Sequence, residues 1–465
     1  MSYRIETDLL GDMHLPDDAY YGIQTARALE NFPITNQSVN KKLINELVLI
    51  KKASALTHLR LKEIDETKAN AIVEACDEII AGRFHDQFVV DSLQGGAGTS
   101  TNMNVNEVVA NLAIEKLGGV KGDYTLVHPL NHVNMSQSTN DVYPTALRIA
   151  SIRLLREVSQ AFADLQEAFQ EKENEFADVL KLGRTQLMDA LPMMVGQEFG
   201  AWAKAIARDR WRLYKVEERL RQVNIGGTAI GTGMNASHKY IFMMTDLLQD
   251  FTGIGLARNE YPIDGTQNMD VFVEVSGLLK SAAVNLVKIS NDLRLLNAGP
   301  RGGLGELSLP AVQAGSTIMP GKVNPVMAEM IGQVSMKVIA NDHAITLAAM
   351  SGQLELNAFV PLIAESLLES LEIMTNAVVV FQSKCIDPII VNEQVCLEHL
   401  ENSTALATAL VHHLGYDKAG EIAKKSLAEK RKIKDIVLDE KLLTEDDIKK
   451  ILNPYQITNP GIPGK

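Results

Sequence analysis

The stretch VSGLLKSAAVNLVKISNDLRLL, Val275 to Leu296, sets Val275, Leu279, Ala282, Leu286, Ile289, Leu293 and Leu296 at alternating steps of four and three. That spacing is the apolar seam of a long helix packed lengthwise against others. Three further runs share the period. One holds Ile152, Leu155, Val158, Phe162, Leu165 and Phe169. A second holds Val195, Phe199, Trp202, Ile206, Leu213, Val216 and Leu220, with Pro192 expected in its first helical turn. The last holds Ile363, Leu367, Leu371, Met374, Val378 and Phe381. Helices of roughly 30 residues reach about 45 Å, more than most single domains need. The expected class is all-α (mainly α), with long helices forming a bundle that subunits share.

Working outward from the bundle, three domains are expected. Residues 1–140 mix short helical stretches with loops. Residues 141–395 carry the long helices and a glycine-rich, mobile loop at about 310–326. Residues 396–465 form a small carboxy-terminal helical domain, in which TEDDIKKILNP supplies Thr444 as a helix cap and Pro454 as a stop. No repeat, low-complexity tract or strong strand signal interrupts this plan.

With 465 residues, 46% of them apolar and 22% charged, the chain has the composition of a globular protein. A net charge of −13 argues against nucleic-acid or anionic-membrane partners, both of which select basic surfaces. Cys76, Cys385 and Cys396 are far apart and form neither a disulfide framework nor a zinc pattern. The opening MSYRIETDLLGDMHLP has acidic residues where a signal peptide would be apolar, so a soluble, cytoplasmic protein is expected.

Several polar segments are candidates for chemistry. QGGAGTSTNMN, Gln94 to Asn104, is a glycine-rich turn that either cradles an anion or caps a helix. GGTAIGTG, Gly226 to Gly233, follows a helix rather than a strand and reads as a tight interhelical turn, not a dinucleotide fingerprint. HVNMSQSTND, His132 to Asp141, and GRTQLMDALP, Gly183 to Pro192, read on their own as polar loops. GSTIMPGKVNP, Gly315 to Pro325, is more specific: Ser316 sits between Gly315 and Thr317, while Lys322 and Asn324 are donors of the type that bind carboxylates. The surrounding glycines suit a lid, and Met319, Pro320 and Pro325 limit its freedom.

Together with PDDAYYGIQTARALENFPI, ISNDLRLLNAGPRGGLGE and the terminal ILNP, these segments resemble the aspartase/fumarase superfamily along essentially the whole chain, most closely its ammonia-lyase branch. The signature G-S-S-x-M-P-x-K-x-N-P is matched except at Thr317. The resemblance implies a homotetramer whose active sites are each built from three subunits, contributing the Thr139, Thr185 and Ser316 segments.

It also implies deamination of L-aspartate to fumarate and ammonia, through a dianionic aci-carboxylate that needs preorganised donors. Ser316 is then the general base, its alkoxide stabilised by Lys322 and backbone N–H groups. Thr99, Ser138, Thr139 and Thr317 are expected on the β-carboxylate, Asn140 and Gln186 at the amino group, and Thr185, Lys322 and Asn324 on the α-carboxylate. Arg27 takes a supporting role. No cofactor or metal ligand set is implied, and divalent-metal activation stays open. Met188, Ala328 and the segment NAFVP depart from the family pattern and bear on substrate preference. Hydration chemistry on malate, addition of another amine to fumarate or a substituted fumarate, and a non-catalytic structural protein on the same fold stand as alternatives.

Overall fold

A computed structural model describes residues 2–465. Most of the chain is helical. The hairpin β1 (Tyr3–Asp8) and β2 (Gly11–Pro16) precedes α1 (Ile23–Asn31), α2 (Lys41–Leu61), α3 (Glu66–Ile80), α4 (Thr99–Lys116) and α5 (Thr139–Glu175). A second hairpin, β3 (Leu180–Thr185) and β4 (Met188–Met194), leads into α6 (Val195–Leu220). Then come β5 (Gln222–Val223), α7 (His238–Thr252), β6 (Ala257–Arg258), α8 (Pro262–Gln267) and α9 (Asp270–Leu296). After β7 (Leu307–Ser308), α10 (Val326–Met350) and α11 (Val360–Phe381) complete the long helices. Beyond β8 (Ile390–Val391) lie six short ones: α12 (Glu393–Glu401), α13 (Ala407–Leu414), α14 (Tyr416–Glu429), α15 (Ile433–Asp439), α16 (Glu445–Ile451) and α17 (Pro454–Ile457).

All four apolar runs lie in helices, within α5, α6, α9 and α11, and their seam residues are buried. Val275, Leu279, Ala282, Leu286 and Leu293 are wholly shielded. Two readings need correction. Pro192 lies in β4, paired with Leu182, and α6 begins only at Val195. The 25-residue α10 was not anticipated, because its exposed side also carries apolar residues, Met336, Leu347 and Met350, which blur the period.

The chain divides into two compact units, and the boundaries fall inside the five long helices. The first comprises 1–159, 211–281 and 337–375; the second, 160–210, 282–336 and 376–465. In the first, α2 packs on α3, α4 and α7. Its central element is α4, where every residue from Thr101 to Ile114 is buried, asparagines included. In the second, Leu400, Leu410, Ile422, Ile436, Ile448 and Ile451 form a core that also takes Leu182 from β3. The expected cap on α16 is present: Thr444 and Asp447 exchange side-chain-to-backbone hydrogen bonds. No helix among the described residues is long and apolar enough to cross a membrane.

Candidate active site

Gly96, Ala97 and Gly98 occupy left-handed backbone conformations in succession and turn the chain sharply into α4. A Cβ at Gly98 would lie 2.4 Å from the Tyr143 ring, so only glycine fits there. The Gln94 carboxamide oxygen accepts from Thr101 N–H and its hydroxyl, both at 2.9 Å, and caps the helix. Thr99 instead faces a cleft of about 810 Å³ within the first unit. The glycine-rich turn therefore caps a helix and contributes to a cleft.

Ser138 and Thr139, at the start of α5, line the same cleft. Their turn is held by Asp141, whose carboxylate accepts from Ser138 N–H at 3.0 Å and, through its other oxygen, from Gly226 N–H and Thr228 N–H, each at 3.0 Å. Burial pushes the Asp141 carboxyl up to about 6, against the pull of these donors and of Lys51. Asn140 donates its amide to Ala229 O at 2.7 Å. The segment 226–233, read from sequence only as a turn, is thus fastened to the start of α5. Thr228, Ala229 and Ile230 line the cleft with Thr99, Ser138 and Thr139.

Asn102, Asn134 and Gln137 also line it and were missed. For Asn102 the available signal was the density of asparagine in TNMNVNE, inside a helix that asparagine does not favour. Arg27 is not among the cleft residues; its guanidinium grips Asp8 at 2.9 and 2.6 Å and Gly11 O at 2.9 Å, tying α1 to the first hairpin. The same ion pair holds the Asp8 carboxyl down at about 2. The amino end of α1 rests on Glu107 of α4, which accepts from Gly22, Gln24 and Thr25 N–H groups at 2.9, 2.8 and 3.1 Å.

The remaining candidates belong to the second unit. Thr185 pairs with Met188 across a two-residue turn in which Gln186 (φ 56°) and Leu187 (φ 63°) are both left-handed. Tight hairpins favour Asn-Gly in such a turn; here a polar and an apolar side chain are presented at its tip, where both are exposed.

The Ser316 loop closes on itself. Gly315 N–H donates to Lys322 O at 2.8 Å, and Asn324 uses one amide hydrogen on Gly315 O at 2.7 Å. A Cβ at Gly315 would come within 2.7 Å of that Lys322 oxygen, which explains the glycine before the serine. The Ser316 Oγ accepts from Met319 N–H at 2.9 Å and Ile318 N–H at 3.2 Å. Ile318 and Lys322 are exposed, as is Thr317. Two backbone donors aimed at one hydroxyl oxygen would stabilise negative charge on it.

The profile of the family described as lyase matches residues 11–340, and that described as fumarase C C-terminus matches residues 406–459. The aspartate ammonia-lyase of Bacillus subtilis is 48% identical over 463 residues, covering 100% of this chain and 98% of that protein. That of Helicobacter pylori (strain ATCC 700392 / 26695) is 47% identical, covering 98% of each. Among solved structures, the Brucella melitensis fumarate lyase:delta crystallin bound to cobalt superposes with a TM-score of 0.96 at 48% identity, over 99% of this chain and 100% of that one. The class II fumarase of Schistosoma mansoni gives 0.93 at 32% identity, over 99% and 100%. Full-length similarity to both kinds of enzyme, on a fold of long helices that displays the GSTIMPGKVNP loop, makes this chain a member of the aspartase/fumarase superfamily of lyases.

Proposed function

We propose that the protein is a carbon–nitrogen lyase that reversibly deaminates L-aspartate to fumarate and ammonia. The observation that carries the mechanism is the pair of backbone N–H groups directed at Ser316 Oγ. A serine alkoxide is a strong base, and such donors lower the cost of forming it where water is excluded.

In the forward direction the Ser316 alkoxide takes the proton from carbon 3. The electron pair moves into the β-carboxylate, giving the aci-carboxylate with two negative charges. Collapse of that dianion forms the carbon–carbon double bond and breaks the carbon–nitrogen bond, whose electrons leave with neutral ammonia. Hydroxyls from Thr99, Ser138 and Thr139 meet the dianion, with Thr317 from the serine loop. Thr185, Lys322 and Asn324 hold the α-carboxylate, Gln186 and Asn140 orient the ammonium, and Arg27 acts only by supporting the first hairpin. The sequence as written needs no cofactor. Each site is assigned to three subunits of a homotetramer.

Gln186 separates this reading from hydration of fumarate. Expulsion of hydroxide from malate requires an acid at the leaving group, whereas an ammonium leaves as ammonia without receiving a proton. A glutamine amide orients but cannot protonate at neutral pH. The test is fumarate absorbance with L-aspartate and, separately, L-malate. The expected kcat/KM on aspartate is at least roughly a thousandfold higher, about 4 kcal/mol in transition-state stabilisation. Comparable rates, or faster dehydration of malate, would overturn the proposal.

A further inference from the structure

Lys51 is wholly buried, and no carboxylate neutralises it directly. Its three ammonium hydrogens go to three amide oxygens: Asn102 Oδ1 at 2.7 Å, Gln137 Oε1 at 2.8 Å and Asn134 Oδ1 at 3.0 Å. An ammonium has donors only, so all three carboxamides must turn their oxygens toward it and their NH2 groups away. All three line the cleft that holds Thr99, Ser138 and Thr139. The Asn102 NH2 donates to Thr139 Oγ1 at 3.2 Å. With that oxygen accepting, the Thr139 hydroxyl hydrogen has no acceptor among the described residues and is available to a ligand.

Resting on the function proposed above, we propose that Lys51 is a positioning residue for the reaction: by fixing the Asn102 amide it orients the Thr139 hydroxyl as a donor to the substrate carboxylate, and it places a buried positive charge, hydrogen-bonded to no carboxylate, behind that donor. A buried charge behind a donor acts most on the species with most negative charge, so its effect grows as the carboxylate becomes the dianion. Neutral amides as partners suit this role. A carboxylate in their place would cancel the charge.

Burial holds the Lys51 ammonium down at about 7, with Asp141 on α5 and Cys76 on α3 pulling the other way. The other ionisable groups of this neighbourhood are Tyr240 on α7, hydrogen-bonded to Ser54, and His58 on α2, stacked on that tyrosine. Burial raises the Tyr240 and Cys76 groups, so both stay neutral well above pH 8. As pH rises through about 7 the empty protein gives up the Lys51 ammonium proton, and a bound dianion draws it back onto Lys51. Asp141, near 6, would take up protons in a more acidic range.

The test uses succinate, an unreactive dicarboxylate, with calorimetric titration of the assembled protein in two buffers of different ionisation enthalpy at several values from pH 6 to 10. Wild type should take up a substantial fraction of one proton per site. Lys51→Met, checked for assembly and thermal stability, should lose that uptake and bind succinate at least about tenfold more weakly. Its kcat on L-aspartate should fall about a hundredfold, the scale of losing one oriented donor to a developing oxyanion. A purely structural lysine would not be linked to proton uptake.

The wild-type measurement needs no variant to fold: succinate binding without proton uptake at any of these pH values overturns the role of Lys51. So does an assembled Lys51→Met protein with kcat within threefold of wild type. If wild type neither binds succinate nor forms fumarate from L-aspartate, the proposed function falls and this inference with it.

Discussion

Arg184 donates to the Glu306 carboxylate at 2.6 Å, fastening the hairpin that presents Thr185 and Gln186 to the segment that leads into the Ser316 loop. Glu306 is 1% exposed and also meets His399 of α12 at 2.8 Å, while Lys181 of β3 stands 3.4 Å from its other oxygen. Burial pushes the Glu306 carboxyl up, but Arg184, Lys181 and His399 together hold it below the usual range. One carboxylate thus serves the hairpin, the loop base and the carboxy-terminal helices.

Glu306→Gln would leave Arg184 with a neutral partner in a buried setting, while Lys181 keeps Glu198 at 2.6 Å. Removing one member of such a cluster costs about 3 kcal/mol or more. Urea unfolding should show that loss, and kcat/KM should fall at least about tenfold as the hairpin and loop lose register. A variant with unchanged stability and turnover would show that the cluster is dispensable.

Ser316→Ala should assemble normally and lose turnover by at least about a hundredfold, the scale of a positioned general base. Because Ser316 Oγ also accepts two N–H groups of its own loop, Ser316→Thr serves as the control: it keeps an oxygen for Ile318 and Met319. Near-normal turnover in the assembled alanine variant would remove Ser316 from the mechanism.

Sharing of sites between subunits is open to complementation. Ser316→Ala and Thr185→Val proteins, each inactive alone, should regain activity after being unfolded and refolded together, since some hybrid sites then carry neither lesion. Hybrids shown to form by mass spectrometry but lacking activity would mean that each chain builds its own site.

Glu107 predicts a pH dependence of stability. Burial pushes its carboxyl up to about 7, although Thr25, Gln24 and Gly22 all donate to it. Between the ordinary glutamate value of 4.5 and about 7, the folded state holds a proton that the unfolded state has released. Stability from this group is therefore full at low pH and declines as pH rises through that window. Urea unfolding at several values from pH 4.5 to 8 should show a slope in wild type that flattens in Glu107→Gln. Parallel profiles for the two proteins would contradict this sign.

Four long helices were legible in the sequence because each buries one stripe and exposes a polar remainder, so the spacing from Val275 to Leu296 carries its own geometry. The serine loop was legible for a similar local reason: Gly315 and Gly321 permit tight turns while Pro320 and Pro325 restrict the backbone, all within one short segment. The hairpin of 180–194 was not. Its tip holds Gln186 and Leu187 in conformations that neither residue prefers, and its register rests on contacts remote in sequence, such as Arg184 with Glu306. The floor of the cleft was hidden for the same reason. Lys51, Asn102 and Gln137 are unremarkable polar residues in one dimension, and only packing α2, α4 and the turn before α5 together makes them a buried ammonium with three oriented amides. Periodicity and backbone constraint act over a few residues and can be read from order alone, whereas the direction of a buried hydrogen bond depends on which distant partner arrives.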